Sequence, residues 1–153
     1  MPYTFEPKHQ YAKASGTDVR ISTKDSVIIC KVIRNKPLKR AKRLLEDLSS
    51  KKRNLGGKYY SNAVDEILNL INSCEKNAEF LGLDNEKLFV HASASKGTNI
   101  HRRRRKGAFG SKMKATHVEI MLIERGKESK TKISKKALKE SKEKQKEEKK
   151  LQP

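Results

Sequence analysis

The stretch Ile100–Glu124, IHRRRRKGAFGSKMKATHVEIMLIE, decides the fold because it joins a strongly cationic segment to a strand pattern. Four consecutive arginines stand in a segment with no acidic residue before Glu119. From His117 to Ile123 the residues then alternate in polarity, which is typical of a half-buried β-strand. The sequence therefore predicts a strand that leaves a highly cationic tip.

A complementary pattern precedes this stretch in KLFVHASASKG. Its apolar residues alternate with polar or aromatic ones, and they are Leu88, Val90, Ala92 and Ala94. Two strands of this length with a long connection predict an extended β-hairpin over residues 88–124.

Three helices are predicted before the hairpin. The first opens with Ser22 or Thr23 as a side-chain cap and Asp25 in its first turn. Its apolar side carries Val27, Ile28, Cys30 and Ile33. The third opens near Ser61, ends at Gly82 and carries one apolar stripe, made of Ala63, Ile67, Leu70, Ile71, Cys74, Ala78 and Leu81.

The second helix has the clearest amphipathic pattern. Pro37 suits its first helical position, where the missing N–H costs nothing. Apolar residues recur at spacings of three and four, at Leu38, Ala41, Leu44, Leu45 and Leu48. The opposite face is basic, with Lys39, Arg40, Lys42 and Arg43, and a cationic loop with Lys51, Lys52 and Arg53 follows.

The remaining segments complete an α+β prediction of three helices packed on a small antiparallel sheet. Residues 1–11 are predicted to be an irregular lead-in, and a short strand is expected near Val19 to Ser22, after a turn at Gly16. Residues 12–126 form the predicted domain. Residues 127–153 are a Lys/Glu/Ser tract with too few apolar residues to offset chain entropy, so a disordered basic tail is expected.

Composition indicates a polyanionic partner. The chain has 153 residues and a formal net charge of +19, which is self-repelling unless it is neutralised. No apolar run approaches the roughly 20 residues of a membrane span, and the first residues lack a signal pattern. The expected compartment is therefore the cytosol, with Cys30 and Cys74 as reduced core thiols.

The cationic hairpin is the first candidate site. Arginine forks match phosphate oxygens, Gly107 and Gly110 allow close backbone approach, and Phe109 offers a stacking face, which suits folded RNA. The candidate RNA-binding residues are Lys96, Arg102, Arg103, Arg104, Arg105, Lys106, Phe109, Lys112 and Lys114. The basic face of the second helix and its following loop form a second candidate. For both, an ordinary solvated surface is the alternative.

Catalysis has little support in the sequence. His91 and His117 could lie on paired strands with Glu119 nearby, but structural histidines fit this pattern better. The two cysteines fit no metal-ligand spacing, and no phosphate-binding loop, nucleophile elbow or carboxylate pair is present. We therefore predict no catalytic residue, no metal and no cofactor.

The segments together resemble a known family. They are AKASGTDVRISTKDSV, NKPLKRAKRLLEDL, NAVDEILNLINSCEKNAEFLGLD, LFVHASASKGTNIHRRRRKGAFG and THVEIMLIE, in this order. The set resembles the large-subunit ribosomal protein of the polypeptide exit tunnel (the L-twenty-two family), in its archaeal or eukaryotic form, over roughly residues 12–125.

The resemblance implies a structural, non-enzymatic protein of the cytoplasmic ribosome. Its implied partners are large-subunit rRNA, neighbouring ribosomal proteins and the nascent polypeptide, with the hairpin lining the tunnel wall. A free nucleic-acid-binding regulator or architectural protein is the alternative, and an RNA-modifying enzyme is a more distant one.

Overall fold

The computed structural model describes residues 5–98 and 101–125, and it confirms the α+β class. Three strands and three helices follow in the order β1 (Tyr11–Val19), α1 (Thr23–Ile33), α2 (Leu38–Ser49), α3 (Ser61–Phe80), β2 (Leu88–Lys96) and β3 (Thr116–Glu124). The predicted tail, residues 127–153, lies outside the described residues.

The sheet is antiparallel with strand order β1-β3-β2, so the last strand in the chain is the central one. The predicted pairing of the hairpin strands is confirmed, from Leu88 opposite Glu124 to Lys96 opposite Thr116. Val118, Ile120 and Leu122 on β3 are fully buried and belong to the same core cluster as the apolar residues of the helices. The central strand therefore holds the helices to the sheet.

The apolar stripes of the helices form the core, as expected. All five apolar positions predicted for α2 are buried, and so are Ala63, Ile67, Ile71, Cys74 and Ala78 on α3. α3 packs on β1 and β3, α1 packs mainly on β2, and α2 packs on α3. Burial of about 25 cal/mol per Å² of apolar surface makes these stripes the main source of stability.

The predicted short strand at Val19 to Ser22 is wrong. β1 lies earlier, over Tyr11–Val19, and Gly16 is paired with Val118 rather than placed in a turn. Asp18 has a φ of 52°, and the register shifts between Gly16 and Val19, so the irregularity follows the paired run. The sequence signal was weak because β1 turns small residues toward α3. A Cβ on Gly16 would approach Leu70 to 3.2 Å.

Helix starts differ in detail from the expectation. Ser22 is the N-cap of α1, but its side chain makes no cap hydrogen bond. Its carbonyl accepts bonds from the amide and the hydroxyl of Ser26. The Thr23 hydroxyl bonds the Thr116 hydroxyl at 2.8 Å. Pro37 is the extended N-cap of α2 rather than its first helical residue, and it forms a β-bridge with Phe89.

The end of α3 is a Schellman motif. The amide of Leu83 donates to the carbonyl of Ala78, and that of Gly82 donates to Glu79, with Gly82 at a φ of 70°. This turn buries Leu83 but leaves Leu81, which the apolar stripe had included, 57% exposed. Ile28 on α1 is likewise exposed instead of buried, with Ile29 taking the core position.

Both cysteines are free and buried, as predicted. Burial raises the pKa of Cys30 to about 12 and that of Cys74 to about 11. The Sγ of Cys74 lies 3.4 Å from the carbonyl oxygen of Ala12, on the neighbouring strand. Both groups are therefore protonated core thiols at neutral pH. Within residues 5–98 and 101–125, no helix has the length and apolar character needed to cross a membrane.

Candidate nucleic-acid interface

The hairpin continues beyond the sheet as a narrow two-stranded ribbon. The Gly97 amide donates to the Ala115 carbonyl at 2.9 Å, and the Met113 amide donates to His101 at 2.7 Å. Arg102 and Lys112 form a β-bridge. Main-chain hydrogen bonds thus hold the legs together where side chains contribute no core.

A six-residue loop, residues 104–109, closes the tip. The Arg103 carbonyl accepts the Gly110 amide at 3.0 Å, and the Arg103 amide donates to the Ser111 carbonyl at 2.9 Å. Gly107 and Gly110 have φ values of 82° and 77°, and a Cβ on either would meet no atom within 4 Å. The tip therefore has an open backbone that a ligand can approach closely.

The cationic side chains of the tip are solvent-exposed. All four arginines from Arg102 to Arg105 and Lys106 are exposed, and Phe109 is 80% exposed. The Arg102 guanidinium reaches the Gly110 carbonyl at 3.5 Å. Among the described residues, the side chains of Arg103, Arg104 and Arg105 have no hydrogen-bond or ion-pair partner. Their charge is left available for an external anion.

The base of the hairpin is fastened to β1 through Asp18. Its carboxylate accepts the Thr98 amide at 2.9 Å, and its own amide donates to Nδ1 of His117 at 3.1 Å. Gly97 lies between the two legs, and a Cβ there would come within 2.6 Å of the Asp18 carboxylate and 2.7 Å of the Ala115 backbone. This junction fixes where the ribbon leaves the core.

Two cations near the hairpin base were not predicted from the sequence as site residues. Lys24 at the start of α1 lines an open groove of about 390 Å³ together with three predicted site residues, Lys96, Lys112 and Lys114. Arg20 lines a neighbouring cleft with Lys114 and the first turn of α3. No local pattern marks either residue, because only the packing of α1 and α3 against the hairpin strands brings them there.

The basic face of α2 is only partly free. Arg40 and Arg43 are exposed, whereas Lys39 pairs with Glu86 at 3.0 Å and the half-buried Lys42 pairs with Glu75 on α3. The structure therefore divides the four cations predicted for this face into two exposed arginines and two ion-paired lysines.

The loop after α2 lies toward the hairpin end of the core. Ser49, at the end of α2, donates to Asp65 near the start of α3, whereas Lys42 reaches Glu75 farther along, so the two helices are antiparallel. The first turn of α3 lines a cleft with Lys114. The exposed residues Lys51, Lys52 and Arg53 follow α2 at this end. They extend the basic surface from the ribbon onto the core.

The histidines do not form a reactive pair. His91 lies opposite Met121 and stacks on Phe5 with ring centroids 4.4 Å apart, and burial, with Arg34 and Arg125 nearby, lowers its pKa. His117 lies opposite Ser95, away from His91 along the strands. Within the part of the chain that the structure describes, no group of three His, Cys, Asp or Glu side chains could hold a metal ion.

Comparison with known proteins gives one consistent result. The family model for ribosomal protein L22p/L17e matches residues 14–123. The chain is 36% identical to the large ribosomal subunit protein uL22 of Methanosphaera stadtmanae, over 80% of this chain and 96% of that protein. It is 35% identical to uL22 of Archaeoglobus fulgidus, over 65% and 79%. It is 37% identical to uL22 of Nanoarchaeum equitans, over 74% and 78%.

Proposed function

Because the chain belongs to the ribosomal protein L22p/L17e family, in its archaeal type, we propose that its hairpin binds large-subunit rRNA and lines the polypeptide exit tunnel. Members of this family are structural constituents of the large ribosomal subunit, located in the cytoplasmic ribosome, and are not enzymes. Family membership thus confirms the predicted class of protein, and the proposal concerns how this chain performs the role.

The observation that carries the proposal is the run of exposed arginines on a ribbon without its own core. Guanidinium groups without intramolecular partners can each engage phosphate oxygens through two parallel hydrogen bonds. At strand geometry, the ten residues from Lys96 to Arg105 would span up to about 33 Å. A ribbon of this length reaches well past the globular surface and can pass between packed RNA helices.

The second basic surface supports contact of the core with rRNA. Arg40 and Arg43 on α2 and the loop cations Lys51, Lys52 and Arg53 are exposed. Single-stranded and irregular RNA is bound through phosphate contacts and base stacking, for which Phe109 at the tip supplies the aromatic face. The core would therefore sit on the RNA surface while the ribbon enters it.

The tunnel-lining part of the proposal places the nascent polypeptide beside the tip. The closing loop has two glycines and small side chains at Ala108 and Ser111, with Phe109 between them. Apart from Phe109, which a stacked base would cover, such a loop offers a passing chain no apolar patch on which to stop. Its cations would face phosphate on one side and solvent on the other.

Sedimentation tests the proposal. The tagged full chain, expressed in an archaeal host, should co-sediment with large subunits at one copy per particle after a high-salt wash. Chemical footprinting of those subunits should show rRNA protection that disappears when Arg102–Arg105 are replaced by Ala. Recovery only in the soluble fraction would favour a free nucleic-acid-binding protein and overturn the ribosomal assignment of the site.

A further inference from the structure

The base of the hairpin gathers cations from separate parts of the chain. The open groove of about 390 Å³ at this place is lined by four lysines, which are Lys24 on α1, Lys96 on β2, and Lys112 and Lys114 on the returning leg. All four are exposed, and among the described residues their side chains have no hydrogen-bond or ion-pair partner. No acidic side chain of the described residues lines this groove. The groove is therefore suited to an anion.

The charge stays positive when the neighbouring acids are counted. A cleft of about 260 Å³ adjoins the groove, with Lys114 in both linings. The cleft adds one cation, Arg20, and one carboxylate, that of Asp25. Asp18 lies at the same end of the sheet, where its carboxylate accepts the Thr98 amide. With Asp18 included, the two cavities have five cations against two carboxylates.

Lys24 stands where a helix does not favour a cation. It lies in the first turn of α1, beside the positive end of the helix dipole. Lys31, seven residues later, lies in the last turn, where the dipole favours a positive charge. Helix stability thus explains a lysine at position 31 but not at position 24, whereas an anion in the groove would explain the second.

The groove has an apolar floor between its lysines. The half-buried Met113 and the buried Ala115 both line it. A thioether makes favourable contacts with aromatic rings, and a flat nucleobase offers such a ring. The bases of duplex RNA are stacked inside the helix, so an unpaired nucleotide is what can present its base to this floor.

The floor is tied to the core, whereas the returning leg belongs to the ribbon. The hydroxyl of the fully buried Thr116 donates to the Ile21 carbonyl at 2.9 Å and lies 2.8 Å from the Thr23 hydroxyl. These bonds join the start of α1 to the start of β3. Lys114 precedes this join, and Lys24 follows it on the helix. A phosphate held between the two lysines would therefore connect the ribbon to the core.

We propose that the groove and the adjoining cleft form a further RNA site, the hairpin-base site, which binds an unpaired nucleotide and the phosphate that follows it. Lys24 and Lys114 hold the phosphate of this nucleotide, and its base lies on Met113. Arg20, in the adjoining cleft, holds the next phosphate.

The hairpin-base site rests on the proposed function, since rRNA is the polyanion that surrounds this chain in the large subunit. RNA fits better than an acidic peptide, because one strand supplies both closely spaced phosphates and a flat base for the apolar floor. Bound RNA would remove the repulsion among the lysines and fix the direction in which the ribbon leaves the core.

A matched pair of positions on α1 tests the contact. Lys24 and Lys31 are both exposed, but Lys24 lines the groove and Lys31 does not. Two full-length chains would each carry a diazirine analogue of lysine, at position 24 in one and at position 31 in the other. Each would be assembled into large subunits in cells, and the purified, salt-washed subunits would be irradiated and their cross-linked nucleotides and peptides identified by mass spectrometry. Acylation of 2′-hydroxyls in protein-free rRNA would show which nucleotides are unpaired.

Position 24 should cross-link to a nucleotide that is unpaired in the free rRNA, with at least about ten times the yield from position 31. Cross-links from position 24 to protein, to a paired nucleotide or to nothing would overturn the hairpin-base site while leaving the proposed function intact, and so would equal yields of RNA from the two positions. Absence of both chains from the subunits would overturn the proposed function instead, and the hairpin-base site with it.

Salt dependence gives a second measure. Replacing Arg20 and Lys24 together by Ala should flatten the slope of log affinity against log salt by about 1.4 for a single-stranded rRNA fragment, at roughly 0.7 per phosphate contact. Replacing Lys31 and Lys76 by Ala removes the same charge away from both cavities and should leave the slope unchanged. Both double variants should keep the melting temperature of the parent chain, because all four side chains are exposed.

The same loss should appear in a chain whose four tip arginines, residues 102–105, are already replaced by Ala, because the hairpin-base site does not use the tip. An unchanged slope in the Arg20 and Lys24 variant, or an equal change in its control, would show that these two cations do not contact phosphate and would overturn the site.

Discussion

The core and the ribbon are built from the same kind of chain but stabilised in opposite ways. In the core, fully buried side chains such as Ile67, Leu45 and Ile120 exclude water. Beyond Lys96 the ribbon has main-chain hydrogen bonds and exposed cations, and among its described residues (97–98 and 101–114) no apolar side chain is buried. The core therefore carries its own stability, whereas the ribbon acquires stability from what it binds.

The largest expected effect separates the two regions by hydrogen exchange. In the free protein, amides of His101 to Lys114 should exchange almost as fast as in an unfolded chain, because an isolated two-stranded ribbon is marginal in water. Amides of Ala63 to Ala78 should exchange only through global unfolding, which costs roughly 5 to 15 kcal/mol in a typical domain. In assembled subunits both segments should be protected. Strong protection of the tip amides in the free protein would mean that the ribbon, like the core, is stable without a bound partner.

The next effect concerns RNA affinity. Replacing Arg102–Arg105 together by Ala should flatten the dependence of log affinity on log salt by about three units, at roughly 0.7 to 0.9 per phosphate contact. Filter binding to an rRNA fragment over a salt series measures this. Replacement of the four by Lys is the control, since it keeps the charge and should keep the slope while losing the paired hydrogen bonds. An unchanged slope in the Ala variant would place the phosphate contacts elsewhere.

A core substitution should affect stability and spare binding. Ile67→Ala removes a fully buried side chain and should lower the free energy of unfolding by about 2 to 5 kcal/mol in urea titrations followed by circular dichroism. Leu81→Ala, at the C-cap directly after α3 and 57% exposed, should cost less than about 1 kcal/mol. Equal costs for the two would mean that α3 does not bury the face described.

The smallest effect lies at the junction. Gly97→Ala would push a methyl group against the Asp18 carboxylate and the Ala115 backbone, and should cost about 1 to 3 kcal/mol. Gly107→Ala meets no neighbouring atom, so only its left-handed conformation is penalised, by about 1 kcal/mol, and locally at the tip. If thermal melts show Gly97→Ala to be neutral, the ribbon is not held at its base as the hydrogen bonds indicate.

Most of the architecture was predictable from repeated spacings of apolar residues and from runs of charge. The α2 stripe and the alternation of β2 and β3 each show which side of the element is buried, and the arginine run marks a surface that is exposed. β1 was misplaced because its inward residues, Ala12 and Gly16, are small and carry no β-strand signature. The close packing of α3 against Gly16, not local preference, defines that strand.

The candidate site likewise contains residues that a local sequence pattern reveals and residues that only tertiary packing brings there. The tip residues could be named from composition, because no tertiary contact is needed to expose them. Lys24 and Arg20 could not be found, since their place beside Lys114 depends on how α1 and α3 pack. The ion pairing of Lys42 with Glu75 was equally hidden, because the two residues belong to different helices.

The position of β3 sets the order of events during synthesis. The central strand is made after β1, all three helices and the arginine run, and Tyr11 finds Ile123 only when nearly the whole domain exists. Contacts between distant chain segments form slowly, because a long loop must close before they stabilise anything. Until then the chain exposes its apolar stripes and its arginines together, a state prone to aggregation and to promiscuous binding of RNA. Delivery of the finished protein to its site therefore depends on completing the last strand.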